Sequence, residues 1–164
     1  MRKLIAVGVA CAGLMGAAVA QPPANPTPPP GPMGGNAGKE FTGVWAPVSS
    51  VYAGEEMMPT AEAREKIRMT VANGLYSMFA VVDPKEGTGQ RLATASFDVD
   101  ARAKTFVLTF QGGVKHGEKV HGVFELAGDE LKLCYTPEKN PRPTKFESPK
   151  ESAVFCETWK RIKK

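Results

Sequence analysis

Histidine and cysteine are scarce in this sequence, with two and three copies in 164 residues. Most catalytic and metal centres are built from these two residue types together with carboxylates. No Gly-x-Ser-x-Gly elbow, His-Glu-x-x-His helix or phosphate-cradling glycine loop occurs. His116 and His121 flank a Gly117–Val120 turn with Glu118 between them, but no third ligand stands at a recognised spacing. That region reads as a solvated hairpin, and neither an enzyme nor a metal or other cofactor is expected. Excess charge is also lacking. The formal charge is +4, and without Arg2 and Lys3 the chain carries 19 Lys+Arg against 17 Asp+Glu, a net of +2. This balance gives no reason to expect a nucleic-acid partner.

A long apolar run is missing too, and the one that is present has a different meaning. Arg2 and Lys3 precede an uncharged stretch, Leu4 to Val19, that ends in the small-x-small motif Ala18-Val19-Ala20. Its length of about 16 residues falls short of the roughly 20 needed to span a bilayer, and Gly8, Gly13 and Gly16 weaken it further. Residues 1–20 therefore read as a signal peptide cut before Gln21, leaving no transmembrane segment. A lipoprotein reading would need Cys11 as the acylated residue. It is disfavoured because Gly8 stands where a Leu is wanted, and the cut would leave an apolar tail. An exported protein, periplasmic or extracellular, is expected.

Residues 21–38 read as a linker. Seven prolines fall between Pro22 and Pro32, followed by Met33-Gly34-Gly35-Asn36-Ala37-Gly38. The first part favours extended polyproline II and the second is flexible, a composition suited to a spacer. A docking motif for an aromatic groove is the other reading of such a segment.

From residue 39 to 164 the pattern is that of an all-β domain. Eight strands are predicted: Phe41–Tyr52, Arg68–Asn73, Tyr76–Val82, Leu92–Asp98, Thr105–Phe110, Val120–Leu126, Glu130–Thr136 and Ala153–Arg161. Asn73-Gly74, Asp83-Pro84, Asp100-Ala101-Arg102, Gly112-Gly113 and Gly128-Asp129 supply the turns. Phe106, Leu108 and Phe110 alternate with Thr105, Val107 and Thr109, and Leu131, Leu133 and Tyr135 alternate with Lys132 and Cys134. Period two with one apolar face is the pattern of a half-buried antiparallel strand. Thr60 can N-cap one short helix, Ala61–Lys66. An eight-stranded antiparallel barrel follows, because closure removes exposed edges, with an open β-sandwich as the alternative.

The stretch Gly122-Val123-Phe124-Glu125-Leu126-Ala127-Gly128-Asp129-Glu130-Leu131-Lys132-Leu133-Cys134-Tyr135 resembles the signature of a family of small exported bacterial domains abundant in planctomycetes. Arg142-Pro143-Thr144-Lys145-Phe146 is similar to that family's Arg-Pro-x-x-Phe segment. Gly43-Val44-Trp45 matches its Gly-x-Trp opening, which lipocalins share, and Arg161 matches a basic residue of its last strand. Ala103 stands where the family often has proline. The resemblance implies a lipocalin-like barrel, and the family carries no assigned molecular function.

Two cysteines, Cys134 and Cys156, remain once Cys11 leaves with the signal peptide. Both fall on outward-facing positions of neighbouring strands, where a cross-strand disulfide can form in an oxidising compartment. Buried free thiols are the alternative, and a metal site would lack a nearby histidine.

Two functional readings follow. One is a barrel that binds a small apolar or amphipathic ligand, with Trp45, Phe124, Tyr135, Phe155 and Trp159 as wall residues. Arg142 would fold over the mouth as an anion clamp, unless its loop is simply pinned by hydrogen bonds. Glu157, between Phe155 and Trp159 on the inner face, would pair with Arg161 or line the cavity. Arg161 would stack on Trp45 at the closed end. The other reading is a structural or interaction module with a protein partner in the cell envelope, displayed on its proline tether. A hollow interior would favour the first, and a filled interior with an exposed apolar patch the second.

Overall fold

The computed structural model describes residues 35–83 and 88–163. The expected signal peptide with Cys11, the proline-rich part of the expected linker and the turn at Pro84 lie outside the described residues. Nine strands occur among those described: β1 Gly43–Tyr52, β2 Glu55–Glu56, β3 Ile67–Ala72, β4 Leu75–Asp83, β5 Thr88–Asp100, β6 Thr105–Phe110, β7 Lys119–Ala127, β8 Glu130–Pro137 and β9 Phe155–Arg161. All pair antiparallel in the order β2-β1-β3-β4-β5-β6-β7-β8-β9, and β1 also pairs with β9. The eight longer strands thus form a closed meander barrel. The sandwich is excluded.

Turn chemistry fixes the register. At Asn73 and Gly74 both φ angles are positive, 52° and 69°, and Ala72 faces Leu75 across them. This is the twist of a type I′ hairpin, which asparagine and glycine adopt at little cost. Helix α1, Ala61–Glu65, begins where Thr60 Oγ1 accepts from the Ala63 amide at 3.2 Å, as its sequence predicts.

Most boundaries shift by one or two residues from the expected ones, and three differences matter more. Lys39–Phe41 is a short 3-10 turn rather than the start of β1, and it delivers Phe41 into the core. Gly35 to Gly38, read from the sequence as flexible linker, is bonded to the barrel. The Gly35 amide donates to Gly74 O at 2.8 Å and the Ala37 amide to Phe97 O at 3.0 Å. Strand β5 begins at Thr88, well before Leu92, because pairing with β4 recruits the polar stretch Gly89-Gln90-Arg91 that has no strand signal of its own.

One end of the barrel carries the 73–74, 101–104 and 128–129 turns and is filled. Phe41, Trp45, Met69, Val71, Phe97, Phe106, Phe124, Leu131 and Trp159 are buried there. Phe41 meets Phe97 and Phe124 edge-on at 5.3 and 5.2 Å, and Phe97 meets Phe106 at 5.5 Å. Such edge-to-face pairs add about 1 kcal/mol each to the burial of the rings themselves. The Arg161 guanidinium seals this closed pole over the Trp45 ring, 4.1 Å from its centroid. It also donates to Thr42 O and to Glu40 O and lies 3.6 Å from Asp129 Oδ1. Gly43 makes this possible: it has φ of 153°, and a Cβ there would lie 2.9 Å from Arg161 Nη1. Beyond Arg161 the Ile162 amide donates to Val44 O at 2.8 Å, so the chain enters and leaves the barrel at the same pole.

Candidate functional site: a half-hollow barrel with a buried carboxyl

The opposite half of the barrel is not filled. β1 pairs with β3 only through Gly43–Trp45, then shifts register between Pro47 and Ser49 and continues along β9. The gap that opens between β1 and β3 is bridged by β2 and α1, whose connection brings Met57 and Met58 to the rim. The β6–β7 loop supplies Lys115 and Glu118 on the far side, with Lys119 at the start of β7. Between them lies a cavity of about 530 Å³. Its wall is mainly Ile67, Met78, Leu108, Phe110, Val120 and Phe155. That volume lies within the roughly 300–1,000 Å³ of small-molecule sites.

The floor is polar. Glu157 lies on the inner face of β9 and is only 4 % exposed. Its Oε2 accepts from the Tyr135 hydroxyl at 3.3 Å and from Trp159 Nε1 at 3.2 Å. Oε1 accepts no hydrogen bond among the described residues. Ser50, directly opposite Glu157 in the β1–β9 register, and Tyr76 from β4 complete the floor. No ion pair to Glu157 occurs among the described residues. Burial without a cation pushes its pKa up to about 7, although the hydrogen bonds from Trp159 and Tyr135 pull the other way. Burial, and then the charge of Glu157, holds the Tyr76 and Tyr135 hydroxyls well above the usual phenol range.

The sequence-predicted site residues divide into three groups. Tyr135, Phe155 and Glu157 come together in the cavity. Trp45, Phe124 and Trp159 belong to the buried core of the closed half, where Trp159 still reaches the cavity floor through its bond to Glu157. Arg142 lies elsewhere. It is exposed on the outer wall, beside Asn36, Asp98 and Asp100, and not over the mouth. The reason is the 138–154 segment, which runs down the outside of β8. Thr136 Oγ1 donates to Ala153 O at 3.0 Å, Asn140 Nδ2 donates to Thr136 Oγ1 at 3.1 Å, and His121 Nε2 lies 2.8 Å from Asn140 O. Glu157 is also not the partner of Arg161, whose carboxylate is Asp129.

Cys134 and Cys156 face each other across β8 and β9 and form a disulfide. Both lie on the outward face as the alternation predicts, yet Cys134 is fully buried because the 138–154 segment covers it. Met57, Met58, Ile67 and Met78 were not foreseen in the site. Their only sequence signal is apolar character, since the gap between β1 and β3 that admits them is a property of the closed barrel. Among the described residues no group of three His, Cys, Asp or Glu is placed to hold a metal ion, and no helix is long and apolar enough to cross a membrane.

No protein-family model matches this sequence, and no curated protein does. Among solved structures the chain is similar to the crystal structure of wild-type fluorescent protein UnaG, with a TM-score of 0.38 and 10 % identity over 75 % of this chain and 98 % of that one. A point mutant of the same fluorescent protein gives a TM-score of 0.38 and 9 % identity over 76 % of this chain and 98 % of that one.

Proposed function

We propose that this protein is an exported binding barrel for a small amphipathic ligand, held without chemical conversion in its open half. The observation that carries this reading is the division of one barrel into a filled half and an empty half. Packed interiors leave few voids larger than a water molecule. A cavity of about 530 Å³ beside a core with side chains at 0–4 % exposure is therefore a built space. Its apolar wall suits the body of a ligand and its polar floor a single head group. The disulfide supports a life outside the reducing cytoplasm.

The second reading, an envelope interaction module, draws on the exposed side chains Met57, Leu92 and Val114. Met57 and Leu92 line the cavity itself, and Val114 lies in the loop beside Lys115. An apolar rim is what an entering ligand would cross, so the binding reading accounts for them as well.

Native mass spectrometry of the protein purified from its exporting host tests the proposal. A non-covalent excess mass that disappears on denaturation is the expected result. Ala93 lines the cavity, so Ala93→Phe should abolish that excess while the barrel remains folded. A bare mass, together with no uptake of any alkyl or aryl compound offered at saturating concentration, would leave the interaction module as the better reading.

A further inference from the structure

We infer that the head group this cavity is built to receive is a protonated amine, so that the ligand is a lipophilic monoamine bound head-down with its ammonium on Glu157. The inference rests on the binding-barrel reading and goes further by naming the ligand class.

The argument begins with the two bonds on Oε2. Trp Nε1–H can only donate, so Oε2 is an acceptor whichever protonation state the carboxyl adopts. The proton that Glu157 exchanges is therefore carried on Oε1, the oxygen with no partner among the described residues. An ammonium placed against Oε1 would replace that proton without changing the net charge of the floor. It would also supply the cation whose absence makes the buried carboxylate costly.

The rest of the floor fits the same head. An ammonium has three N–H donors and no acceptor. Ser50, opposite Glu157 in the β1–β9 register, and Tyr76 line the same cavity, and a hydroxyl oxygen can accept. A carboxylate head would meet the Glu157 charge with no arginine or lysine at this depth. The cavity's two lysines, Lys115 and Lys119, lie at the rim, and Lys115 Nζ is engaged over the Phe110 ring, 5.7 Å from its centroid. A neutral alcohol could bond the floor but would leave the carboxylate without a counter-charge.

Calorimetric titration of the oxidised full-length protein with decylamine, decanol and decanoate tests this at mildly alkaline pH, each below its aggregation threshold. The chains are matched, so differences report the head group. Decylamine is expected to bind at least about tenfold more tightly than decanol, with decanoate weakest. Glu157→Gln should remove the preference, so that the variant binds decylamine no more tightly than it binds decanol, and the decanol binding that remains shows that the variant is folded. Should that variant fail to fold, the carboxyl carbon resonance of Glu157 in the unsubstituted protein gives the same answer. Below pH 7, where the free protein still holds that proton, decylamine should move it to the ionised position and decanol should not. Equal binding of amine and alcohol would overturn the amine assignment and leave the cavity reading intact. Tightest binding of decanoate would overturn it in favour of the rim lysines. Binding of none of the three would remove the ligand-binding reading itself.

Discussion

The guanidinium carbon of Arg161, the last residue of β9, lies over the ring of Trp45, the third residue of β1, 4.1 Å from the ring centroid. The first and last strands are thereby joined by a side-chain contact as well as by backbone pairing. Arg161 is also the lid of the closed pole, with its fork donating to the Thr42 and Glu40 carbonyls.

Removing that lid should loosen the closure. Arg161→Ala is expected to cost about 2 kcal/mol, the sum of a partly desolvated cation–π contact and hydrogen bonds to two carbonyls. Arg161→Lys keeps a cation but loses the planar fork, so a smaller loss is expected. Urea denaturation of the three proteins measures this. Equal midpoints for all three would show that the contact does not hold the seam.

The disulfide closes a loop with a sequence separation of 22 residues. Chain-entropy reasoning assigns it about 3 kcal/mol. The Cys134→Ala/Cys156→Ala double variant should unfold at correspondingly lower urea than the oxidised protein. The 138–154 segment covering Cys134 should become the first site of limited proteolysis. An unchanged midpoint would mean that strand pairing alone secures β9.

Glu157 should make the protein less stable as pH rises. Its pKa is pushed from 4.5 to about 7 on folding, so between those values the folded state holds a proton that the unfolded state has lost. The favourable contribution is complete below pH 4.5 and disappears as pH passes about 7, a change on the order of 3 kcal/mol. The groups facing it are Tyr135 from β8, Tyr76 from β4, Ser50 from β1 and Trp159 on its own strand, with Lys115, Glu118 and Lys119 at the rim. None of the floor groups titrates in that window. Glu157→Gln should therefore flatten a plot of unfolding free energy against pH across it, and a slope that survives the substitution would assign the effect to another group.

Tyr135→Phe removes one donor from Oε2 and should raise the Glu157 pKa further, since that bond favours the ionised carboxyl. The carboxyl carbon resonance followed through a pH titration reads the shift directly. Movement in the opposite direction would show that the hydroxyl favours the neutral acid.

Much of the barrel was legible because strand alternation and turn chemistry agreed with each other. Asn73-Gly74 and Gly128-Asp129 bound strands whose apolar faces follow period two, and the structure places those turns and faces as expected. Cys134 and Cys156 could be paired because meander order makes β8 and β9 neighbours. What escaped was set by tertiary geometry. β2, two glutamates long, exists only because it pairs with β1. Arg142 beside Pro143 reads as a clamp over the mouth or as a loop pinned by hydrogen bonds, and side-chain bonds from Thr136 and Asn140 hold its segment on the outer wall. Within the site, Glu157 stood out as a charge between two inward aromatics. The methionines that line the space above it did not, because an apolar residue facing a cavity has the same sequence pattern as one facing a core.

The Gly35–Gly74 bond at one end and the Ile162–Val44 bond at the other place both ends of the described barrel at the pole farthest from the cavity. Coupling chemistry, a fused reporter or a sensor surface attached through either end would therefore sit behind the barrel and leave its opening facing solution. A captured layer of this protein would be oriented with the cavity outward, whereas random coupling through the rim residues Lys115 and Lys119 would cover the cavity in a share of molecules.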